Sequence, residues 1–480
     1  MDLNKIKKVH IIGIGGIGIS AVAKLLISQG KIVTGSDVQD STIIEVLKNF
    51  GAQVFIGEHK AVNLPADADL IIYSDAVSES NVERQKAEEL KKESLSYFQF
   101  LGEYSKNKYT IAISSTHGKT TTTALTGLIF DRAAFDPTVI VGTKIENWDG
   151  NLRLGGNNYF IVEADEYRGH MLEFSPQVII CNNLEYEHAD YYKDLNDVIS
   201  KFQEFVNKLP QDGYFIYNAD DPVLRERIEN PNCNVVSYGL ENESADLLAK
   251  NVKIDHGRQI FRPVYKGQEL KDFNLQVPGK FNIANALAAS LCALELGIDQ
   301  DIIKDTLAQF KGAWRRFEIV GQLNNFGPEK DGAMIVSDYA HHPTEIAATI
   351  QAAKEFYPDK RLIVAFQPHQ KKRTKELFTD FVKTFTDCQA DVIILSEIYD
   401  VAGREDKTNE ISSRDLEEKI SFNLSKKIAA GQEIQTEYLY AKDLENTKAE
   451  ILNKVKSDDL VIIMGAGNID QVARELVANQ

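Results

Sequence analysis

The sequence is poor in cysteine and lacks long apolar runs. Its four cysteines are widely scattered and lack the paired spacing of metal ligands, which predicts free thiols in a reducing compartment. No apolar run reaches the roughly 18 residues of a membrane span, and the N-terminus is Met-Asp-Leu-Asn-Lys rather than a basic segment followed by an apolar one. We therefore expect no signal peptide, no membrane partner and a cytoplasmic location.

Positive charge is also scarce. The chain has 54 lysines and arginines against 71 acidic residues, a net charge of −17. This balance argues against non-specific nucleic-acid binding, which needs a basic surface, but it leaves local anion sites open. There is no fixed-period repeat and no low-complexity tract. A length of 480 residues suggests about two to four domains.

Short apolar runs alternate with helical patterns along the whole chain, which predicts an α/β protein of three consecutive α/β domains. We place these domains at residues 1–105, 106–314 and 315–480. The predicted strands include 9–12, 32–35, 54–56 and 70–74, then 109–113, 138–141, 159–162, 178–181 and 214–217, and finally 334–336, 362–366, 392–395 and 460–464. Helices are predicted at 20–29 and 282–296.

The most informative segment follows the apolar run that ends at Ile113 and leads into a helical pattern. It consists of Ser115, Thr116, His117, Gly118, Lys119 and Thr120. Strand, Gly-Lys-Thr turn and helix, in that order, predict a phosphate-binding loop in which backbone N–H groups and the helix dipole attract an anion. Lys119 would bridge the β- and γ-phosphates, and the Thr120 hydroxyl would reach Mg²⁺. The common motif has glycine at the position of Ile113, so this loop is shorter.

A second glycine-rich turn lies near the N-terminus. Gly13, Gly15 and Gly18 form Gly-x-Gly-x-x-Gly between a predicted strand and a helix, and Asp37 follows the next strand. This pattern is typical of turns that approach a pyrophosphate, with an acidic residue near a ribose. NAD and a nucleotide-sugar diphosphate are both compatible with it.

Two candidate cation ligands follow strands of the central region. Glu163 ends an apolar strand about forty residues after the phosphate loop, and His188 lies in the acidic loop after the next strand. Because the carboxyl ends of parallel strands share one crevice, both residues could ligate cations beside the phosphates. In the last region the adjacent pair His341 and His342 does not fit a zinc-protease motif, while Arg373 could bind a carboxylate.

Together these motifs resemble those of the Mur ligases, the ATP-dependent family that builds the peptide stem of peptidoglycan, and the similarity covers essentially the whole chain. The resemblance implies a Rossmann-like UDP-binding domain, a central domain like the P-loop ATPases and a Rossmann-like C-terminal domain. The family's loop, Gly-Thr-His-Gly-Lys-Thr, matches residues 115–120 and explains the short loop. Ser115 replaces its first glycine and would be strained if that position needs positive φ.

The resemblance also implies roles for individual residues. It implies UDP-sugar binding by Gly13, Gly15, Gly16, Gly18, Ser36, Asp37, Ser74 and Asp75. It implies ATP binding by the phosphate loop, Thr121, Asn282, Asn285 and Asp338, and binding of two Mg²⁺ ions by Thr120, Thr121, Glu163 and His188. Lys119, Glu163, His188, Arg315 and Arg316 would be catalytic, and Tyr339, His341 and Arg373 would bind the amino acid. Departures from the family pattern are Ser115, Phe281 for a histidine, Glu187 for an aspartate and Gln370 for a residue that is often basic.

The implied reaction joins the carboxylate of UDP-N-acetylmuramate to an amine through an acyl phosphate made from ATP. Three segments favour L-alanine as the amine: residues 366–369, the Tyr399 to Glu405 segment and the short stretch from Glu163 to Pro176. Residues 182–185 and 188–190 favour an intact tripeptide. We expect L-alanine, with the tripeptide as the alternative. We expect a monomer or weak homodimer. Other hypotheses are an NAD-dependent oxidoreductase and a nucleotide-binding protein with weakened catalysis.

Overall fold

The structure is a computed structural model that describes residues 2–148, 150–188, 191–229, 232–324, 332–400, 411–432 and 436–478. Within these residues it contains three β-sheets with flanking helices, which confirms the predicted α/β fold. All four cysteines are free thiols. Within the described ranges, no helix combines the length and apolar character that crossing a membrane requires.

The first sheet has five parallel strands in the order β3-β2-β1-β4-β5. Its strands are β1 (Lys8–Ile12), β2 (Ile32–Asp37), β3 (Gln53–Ile56), β4 (Leu70–Tyr73) and β5 (Glu93–Ser96). Its helices are α1 (Ile17–Ser28), α2 (Thr42–Phe50), α3 (Val82–Glu89) and α4 (Tyr97–Ser105). The central strand β1 and its neighbour β4 are buried along almost their whole length.

The second sheet has eleven strands in the order β15-β14-β13-β12-β11-β10-β6-β9-β7-β8, with β16 beside β14. The strands are β6 (Tyr109–Ile113), β7 (Thr138–Ile145), β8 (Gly150–Arg153), β9 (Tyr159–Glu163), β10 (Val178–Cys181), β11 (Tyr214–Asn218), β12 (Asn234–Gly239), β13 (Leu247–Asp255), β14 (Arg258–Tyr265), β15 (Gln268–Glu269) and β16 (Phe273–Leu275). The helices are α5 (Lys119–Arg132), α6 (Leu195–Val206), α7 (Pro222–Arg227), α8 (Lys280–Glu295) and α9 (Gln300–Gln309). The strands β10, β6 and β9 are parallel, so their carboxyl ends meet at one edge.

The third sheet has six strands in the order β17-β18-β22-β19-β20-β21, and only β17 is antiparallel to its neighbour. Its strands are β17 (Glu318–Leu323), β18 (Ala333–Asp338), β19 (Leu362–Phe366), β20 (Val392–Ser396), β21 (Glu437–Ala441) and β22 (Leu460–Met464). Its helices are α10 (Pro343–Phe356), α11 (Lys371–Glu376), α12 (Phe378–Asp387), α13 (Ser413–Ala429), α14 (Leu444–Lys454) and α15 (Asp470–Ala478).

The chain forms two compact units. One unit comprises Met1–Lys250, Arg262–Phe273 and Ala284–Leu307, and the other comprises Asn251–Phe261, Asn274–Ile283 and Ala308–Gln480. Within the first unit the cores of the first two sheets are continuous, since Tyr104 of α4 packs edge-on against Phe160 of β9 with 5.0 Å between ring centres. The three-domain boundaries stay a prediction.

Candidate active site

The phosphate loop lies between β6 and α5, as the sequence predicts. Gly118 precedes the helix with φ +84°, and a β-carbon there would lie 2.4 Å from Asn285 Oδ1 and 2.7 Å from Asn182 Nδ2. A side chain at this position would therefore be strained and would also clash. Ser115 does not have a positive φ. The strain that its substitution for glycine suggested is absent, because the left-handed residue of this loop is Gly118.

The residues that follow β10 hold the loop in place. Thr116 N donates to Asn183 O (3.1 Å) and His117 N donates to Asn183 Oδ1 (2.8 Å). In the other direction, Glu185 N donates to Thr116 Oγ1 (2.8 Å). The backbone at the start of the loop is therefore bound to the neighbouring strand end, which restricts its conformation.

A buried polar network lies beneath Gly118. Asn182 Nδ2 donates to Thr122 Oγ1 (3.0 Å) and to Asn285 Oδ1 (3.3 Å), and Tyr238 OH donates to Asn182 Oδ1 (2.8 Å). Thr122 Oγ1 also donates to Asn285 Oδ1 (3.3 Å). Asn285 was predicted to bind ATP, and the structure places it against the phosphate loop. Such a network is rigid because each polar group is buried with a partner.

Lys119 bends over the loop that precedes it. Its Nζ donates to the carbonyl oxygens of Ser115 (2.6 Å) and Thr116 (3.0 Å) and lies 2.7 Å from Glu166 Oε2. Burial acts to lower the pKa of Lys119, but the nearby carboxylates outweigh it and raise that pKa. The ammonium is therefore charged at neutral pH and lies at the start of α5.

Glu166 lies in the site but was not predicted from the sequence, which indicated Glu163 instead. It is almost fully buried, and its Oε1 lies 3.1 Å from His188 Nε2. Although burial opposes ionisation, the charge of Lys119 and the hydrogen bond from His188 hold the pKa of Glu166 at about 2. The same contact raises the pKa of His188 against the effect of its own burial.

Ligand atoms of Glu166, Glu187 and His188 all lie within 4.8 Å of one another. Two carboxylates and an imidazole in this arrangement can hold a divalent cation. The ligand role of His188 stays a prediction, and Glu187 occupies the position where the family pattern has aspartate.

Glu163 lies at the end of β9 and is held through both oxygens by neutral donors. Thr120 Oγ1 donates to Oε1 (3.0 Å), and Gly142 N donates to Oε2 (2.8 Å). A β-carbon on Gly142 would lie 2.9 Å from Oε2, so a side chain there would displace the Glu163 carboxylate. Thr120 and Glu163 are thus brought together as the sequence predicts, while Thr121 is buried in the first turn of α5.

The glycine turn after β1 is held by the end of β2. Ser36 O accepts hydrogen bonds from Gly13 N (2.8 Å) and Ile14 N (3.1 Å), and Asp37 Oδ2 accepts one from Gly15 N (2.8 Å). The Ser36 hydroxyl points inward, where it donates to Glu83 Oε2 (2.6 Å). Three N–H groups of the turn are thus bound within the sheet.

The other predicted UDP-sugar residues lie around the same turn. Gly16 is the N-cap of α1, and a β-carbon on Gly18 would lie 3.0 Å from the Tyr97 ring. A β-carbon on Gly13 would lie 3.1 Å from Ser74 Cβ. Burial raises the pKa of Asp75, the residue after Ser74.

His170 lies between Asp75 and the segment that carries Glu163. Its Nε2 is 3.9 Å from Asp75 Oδ2, its Nδ1 is 3.7 Å from Asp165 Oδ2, and its ring stacks on Phe98 at 4.0 Å. No sequence motif points to this residue, because it lies in an irregular 3₁₀ segment, Tyr167–Glu173.

In the second unit, Asp338 ends β18 and is buried. Its carboxylate accepts from Phe317 N (2.7 Å) and Ala340 N (2.8 Å). Burial nevertheless raises the pKa of Asp338 to about 6, against the lowering effect of the Arg316 charge. The guanidinium carbons of Arg315 and Arg316 lie 4.9 and 5.0 Å from the centre of the Tyr339 ring.

Tyr339, His341 and Arg373 lie in one cluster, as expected of an amino-acid site. The Tyr339 and His341 rings are 5.4 Å apart, and His341 is 6.3 Å from the His369 ring. Arg373 Nη1 lies 3.4 Å from His369 Nδ1, and that ring stacks on Tyr399 at 5.8 Å. His369 and Tyr399 thus belong to the same cluster.

The sequence also singles out Asn282, Phe281 and Gln370. Asn282 is buried in the first turn of α8 and donates to Pro278 O (2.7 Å), and the departure residue Phe281 beside it is exposed. Gln370 has φ +69° and donates from its backbone N to Tyr399 O (2.8 Å). Residues 189–190, in a segment that favours the tripeptide, and residues 402–405, in one that favours L-alanine, lie outside the described residues.

Comparison with known proteins places these features in context. Three family models match the chain: "Mur ligase family, catalytic domain" over residues 8–109, "Mur ligase middle domain" over 113–293, and "Mur ligase, glutamate ligase domain" over 315–467.

Relatives and a solved structure match over nearly the full length. The UDP-N-acetylmuramate–L-alanine ligase of Clostridium kluyveri is 42% identical over 100% of this chain and 99% of its own. That of Caldanaerobacter subterraneus subsp. tengcongensis is 40% identical over 99% of this chain and 98% of its own. The crystal structure of the UDP-N-acetylmuramate-alanine ligase of Thermotoga maritima superposes with a TM-score of 0.78 at 26% identity and covers 98% of both chains.

Proposed function

Because the chain belongs to the Mur ligase family, we propose that it is the ATP-dependent ligase that joins UDP-N-acetylmuramate to L-alanine in peptidoglycan precursor synthesis. Relatives that carry this name align along the whole chain at about 40% identity. The observation that carries the phosphoryl-transfer chemistry is Lys119, held beside Glu166 at the start of α5. A dehydrogenase would leave this loop without a role, so the oxidoreductase hypothesis is dropped.

The reaction has two steps. An oxygen of the muramate carboxylate attacks the γ-phosphorus of ATP, the bond to the β-phosphate oxygen breaks, and ADP leaves. The amino nitrogen of L-alanine then attacks the acyl carbon, the acyl C–O bond breaks, phosphate leaves and the nitrogen loses a proton. Phosphorylation is needed because O⁻ is a poor leaving group. The protein's contribution is mainly positioning and charge stabilisation.

The phosphate loop and Lys119 would bind the β- and γ-phosphates of ATP through first-turn N–H groups and the ammonium. We assign Asn282, Asn285 and Asp338 to the nucleotide, and Arg315 with Arg316 to the phosphates.

The carboxylates of the site fit Mg²⁺, which prefers oxygen ligands. Glu163 with Thr120 and Thr121 would hold one ion, and His188 with Glu166 and Glu187 would hold the second. When bound, Mg²⁺ neutralises charge on the transferring phosphate. The fit of the first site rests on Glu163, a carboxylate that accepts hydrogen bonds from a neutral hydroxyl and a neutral backbone N–H.

The UDP-sugar would bind at the turn after β1, with Gly16 and Gly18 at the N-terminus of α1 facing the diphosphate. L-alanine would bind at the cluster of Tyr339, His341 and Arg373, where the guanidinium suits a carboxylate. We also propose a cytoplasmic location and a monomer or weak homodimer.

The test is phosphate release from ATP with UDP-N-acetylmuramate and, in separate reactions, L-alanine, glycine, L-serine and the stem tripeptide. We expect release that requires both the UDP-sugar and an amine, with L-alanine preferred. Preference for the tripeptide would favour the recycling ligase instead. ATP hydrolysis indifferent to both co-substrates would refute the ligase assignment and support a nucleotide-binding protein with weakened catalysis.

A further inference from the structure

A fully buried carboxylate lies beneath the glycine turn of the first sheet. Glu83 belongs to α3 and has no exposed surface. Its Oε2 accepts a hydrogen bond from Ser36 Oγ (2.6 Å) and lies 3.1 Å from His10 Nε2. His10 is itself fully buried in β1, and its other ring nitrogen lies 2.8 Å from Thr34 Oγ1. One oxygen of Glu83 thus contacts both β1 and β2.

The second oxygen contacts the segment after β3. Glu83 Oε1 accepts from Asn63 Nδ2 (2.8 Å) and Lys60 N (3.2 Å), and it lies 3.4 Å from His59 Nδ1. Burial disfavours the charged carboxylate, but these hydrogen bonds outweigh it and hold the pKa of Glu83 at about 2. The group is charged at neutral pH and connects three segments of the sheet.

Ser36 transmits this contact to the glycine turn. Its hydroxyl donates to Glu83, while its carbonyl oxygen accepts the N–H groups of Gly13 and Ile14. The next residue, Asp37, accepts the N–H of Gly15. The path of the turn, and with it the start of α1, therefore depends on where the end of β2 lies.

We propose that Glu83 is a positioning residue for the UDP-sugar site, acting through Ser36 on the turn that receives the diphosphate. This inference rests on the proposed function. An isolated charge inside a sheet is costly unless several donors satisfy it, and apolar residues could fill the same volume. The hydrogen bonds of the Glu83 carboxylate hold the end of β2, and with it the glycine turn, in one conformation. Apolar packing does not supply such directed contacts.

The test is a double-mutant cycle on Glu83→Gln and Ser36→Ala, with initial rates measured against UDP-N-acetylmuramate and, separately, against ATP. Each variant should raise KM for the UDP-sugar about tenfold, as expected for a lost hydrogen bond to a charged group, with kcat and the KM for ATP within about twofold of the wild type. The double variant should resemble Glu83→Gln alone, since both substitutions break one interaction. Glu88→Gln, an exposed position on the same helix, is the matched control.

Thermal unfolding of each variant separates positioning from folding. Folded variants with an unchanged KM for the UDP-sugar would overturn the inference, and so would an equal rise in both KM values or full additivity in the double variant. Wild-type protein that releases no phosphate in response to UDP-N-acetylmuramate would instead overturn the proposed function. In that case titration of the same variants with UDP-N-acetylmuramate in a calorimeter still tests the inference, and equal affinities would refute it.

Discussion

The turn after β1 and the loop after β6 share one layout, a buried parallel strand, small residues and a helix, yet the charged groups around them differ. The first turn is bound by a carbonyl and a carboxylate from the adjacent strand β2. The second is bound by the carbonyl and the neutral side chain of Asn183 after the adjacent strand β10, and it carries Lys119, which pairs with Glu166. The first turn therefore has the negative charge of Asp37 beside its backbone N–H groups. The second loop has the positive charge of Lys119 beside its own. Glycine spacing specifies a close approach to phosphate, whereas the charged residues around it specify chemistry.

Lys119→Ala removes the positive charge that distinguishes the second loop from the first turn. Removing the ammonium should reduce kcat at least about a hundredfold, because charge stabilisation of the transferring phosphate is lost. Affinity for UDP-N-acetylmuramate, measured by calorimetry, should stay nearly unchanged since the first turn has no part in this contact. A comparable loss of UDP-sugar affinity would show that the two sites are not separate.

Glu166→Gln tests the buried pair that distinguishes the second loop. Leaving Lys119 without its carboxylate should lower the free energy of unfolding at pH 7 by about 3 kcal/mol, measured in urea. Because the pKa of Glu166 falls from 4.5 to about 2 on folding, its contribution is present above pH 4.5 and lost between about pH 4.5 and 2.

The variant should therefore lack this acid-dependent part of its stability. The raised pKa of His188 acts in the opposite direction, and its contribution is lost as the pH rises above 6.5. Glu204→Gln, at an exposed position on α6, is the control. Identical pH profiles for wild type and Glu166→Gln would contradict the assignment.

Alanine at matched glycines compares the two turns directly. Gly118→Ala combines φ +84° with contacts of 2.4 and 2.7 Å, so it should lower kcat/KM for ATP about tenfold or more. Gly15→Ala meets the ends of two side chains, Asp37 Oδ2 at 2.9 Å and Ile44 Cδ1 at 3.1 Å, and should raise KM for the UDP-sugar about threefold.

Gly30→Ala isolates backbone strain, since Gly30 has φ +78° and no atom lies within 4 Å of the added carbon. It should cost about 1 kcal/mol in unfolding experiments and leave both KM values unchanged. If Gly118→Ala behaved like Gly30→Ala in kinetics, the network beneath the loop would be more adaptable than its geometry indicates.

Asp37→Asn is expected to have the smallest effect. An amide retains one oxygen to accept the Gly15 N–H, so KM for the UDP-sugar should change by less than about threefold. A rise of tenfold or more would show that the Asp37 carboxylate contacts the substrate directly, as the resemblance to the family implies.

The sequence predicted the parts of the fold that depend on local pattern. Buried parallel strands are continuous apolar runs, so 178–181, 362–366 and 460–464 were predicted with their observed ends. The strands from Leu247 to Leu275 were not predicted. Residues 250–254 of β13 are exposed, so this part of the strand shows neither alternation nor a buried run.

Long-range contacts explain what the sequence could not specify in the site. Thr122 and Asn285 are hydrogen-bonded across 163 positions, a contact that no local motif encodes. Glu163 and Glu166 stand three residues apart in one acidic run, and which of them faces Lys119 depends on the 3₁₀ turn that follows. In that turn Arg168 and Gly169 take φ +54° and +69°.

The asparagine network beneath Gly118 makes the phosphate loop a poor candidate for transplantation. Its conformation depends on Asn182 and Asn183 after β10 and on Asn285 in α8, all supplied by other parts of the chain. A chimera in which residues 114–120 alone replace the turn of another strand-turn-helix unit would have the sequence of the motif but not its conformation. Recombination among related ligases should therefore succeed only where the loop and its distant asparagines are exchanged together.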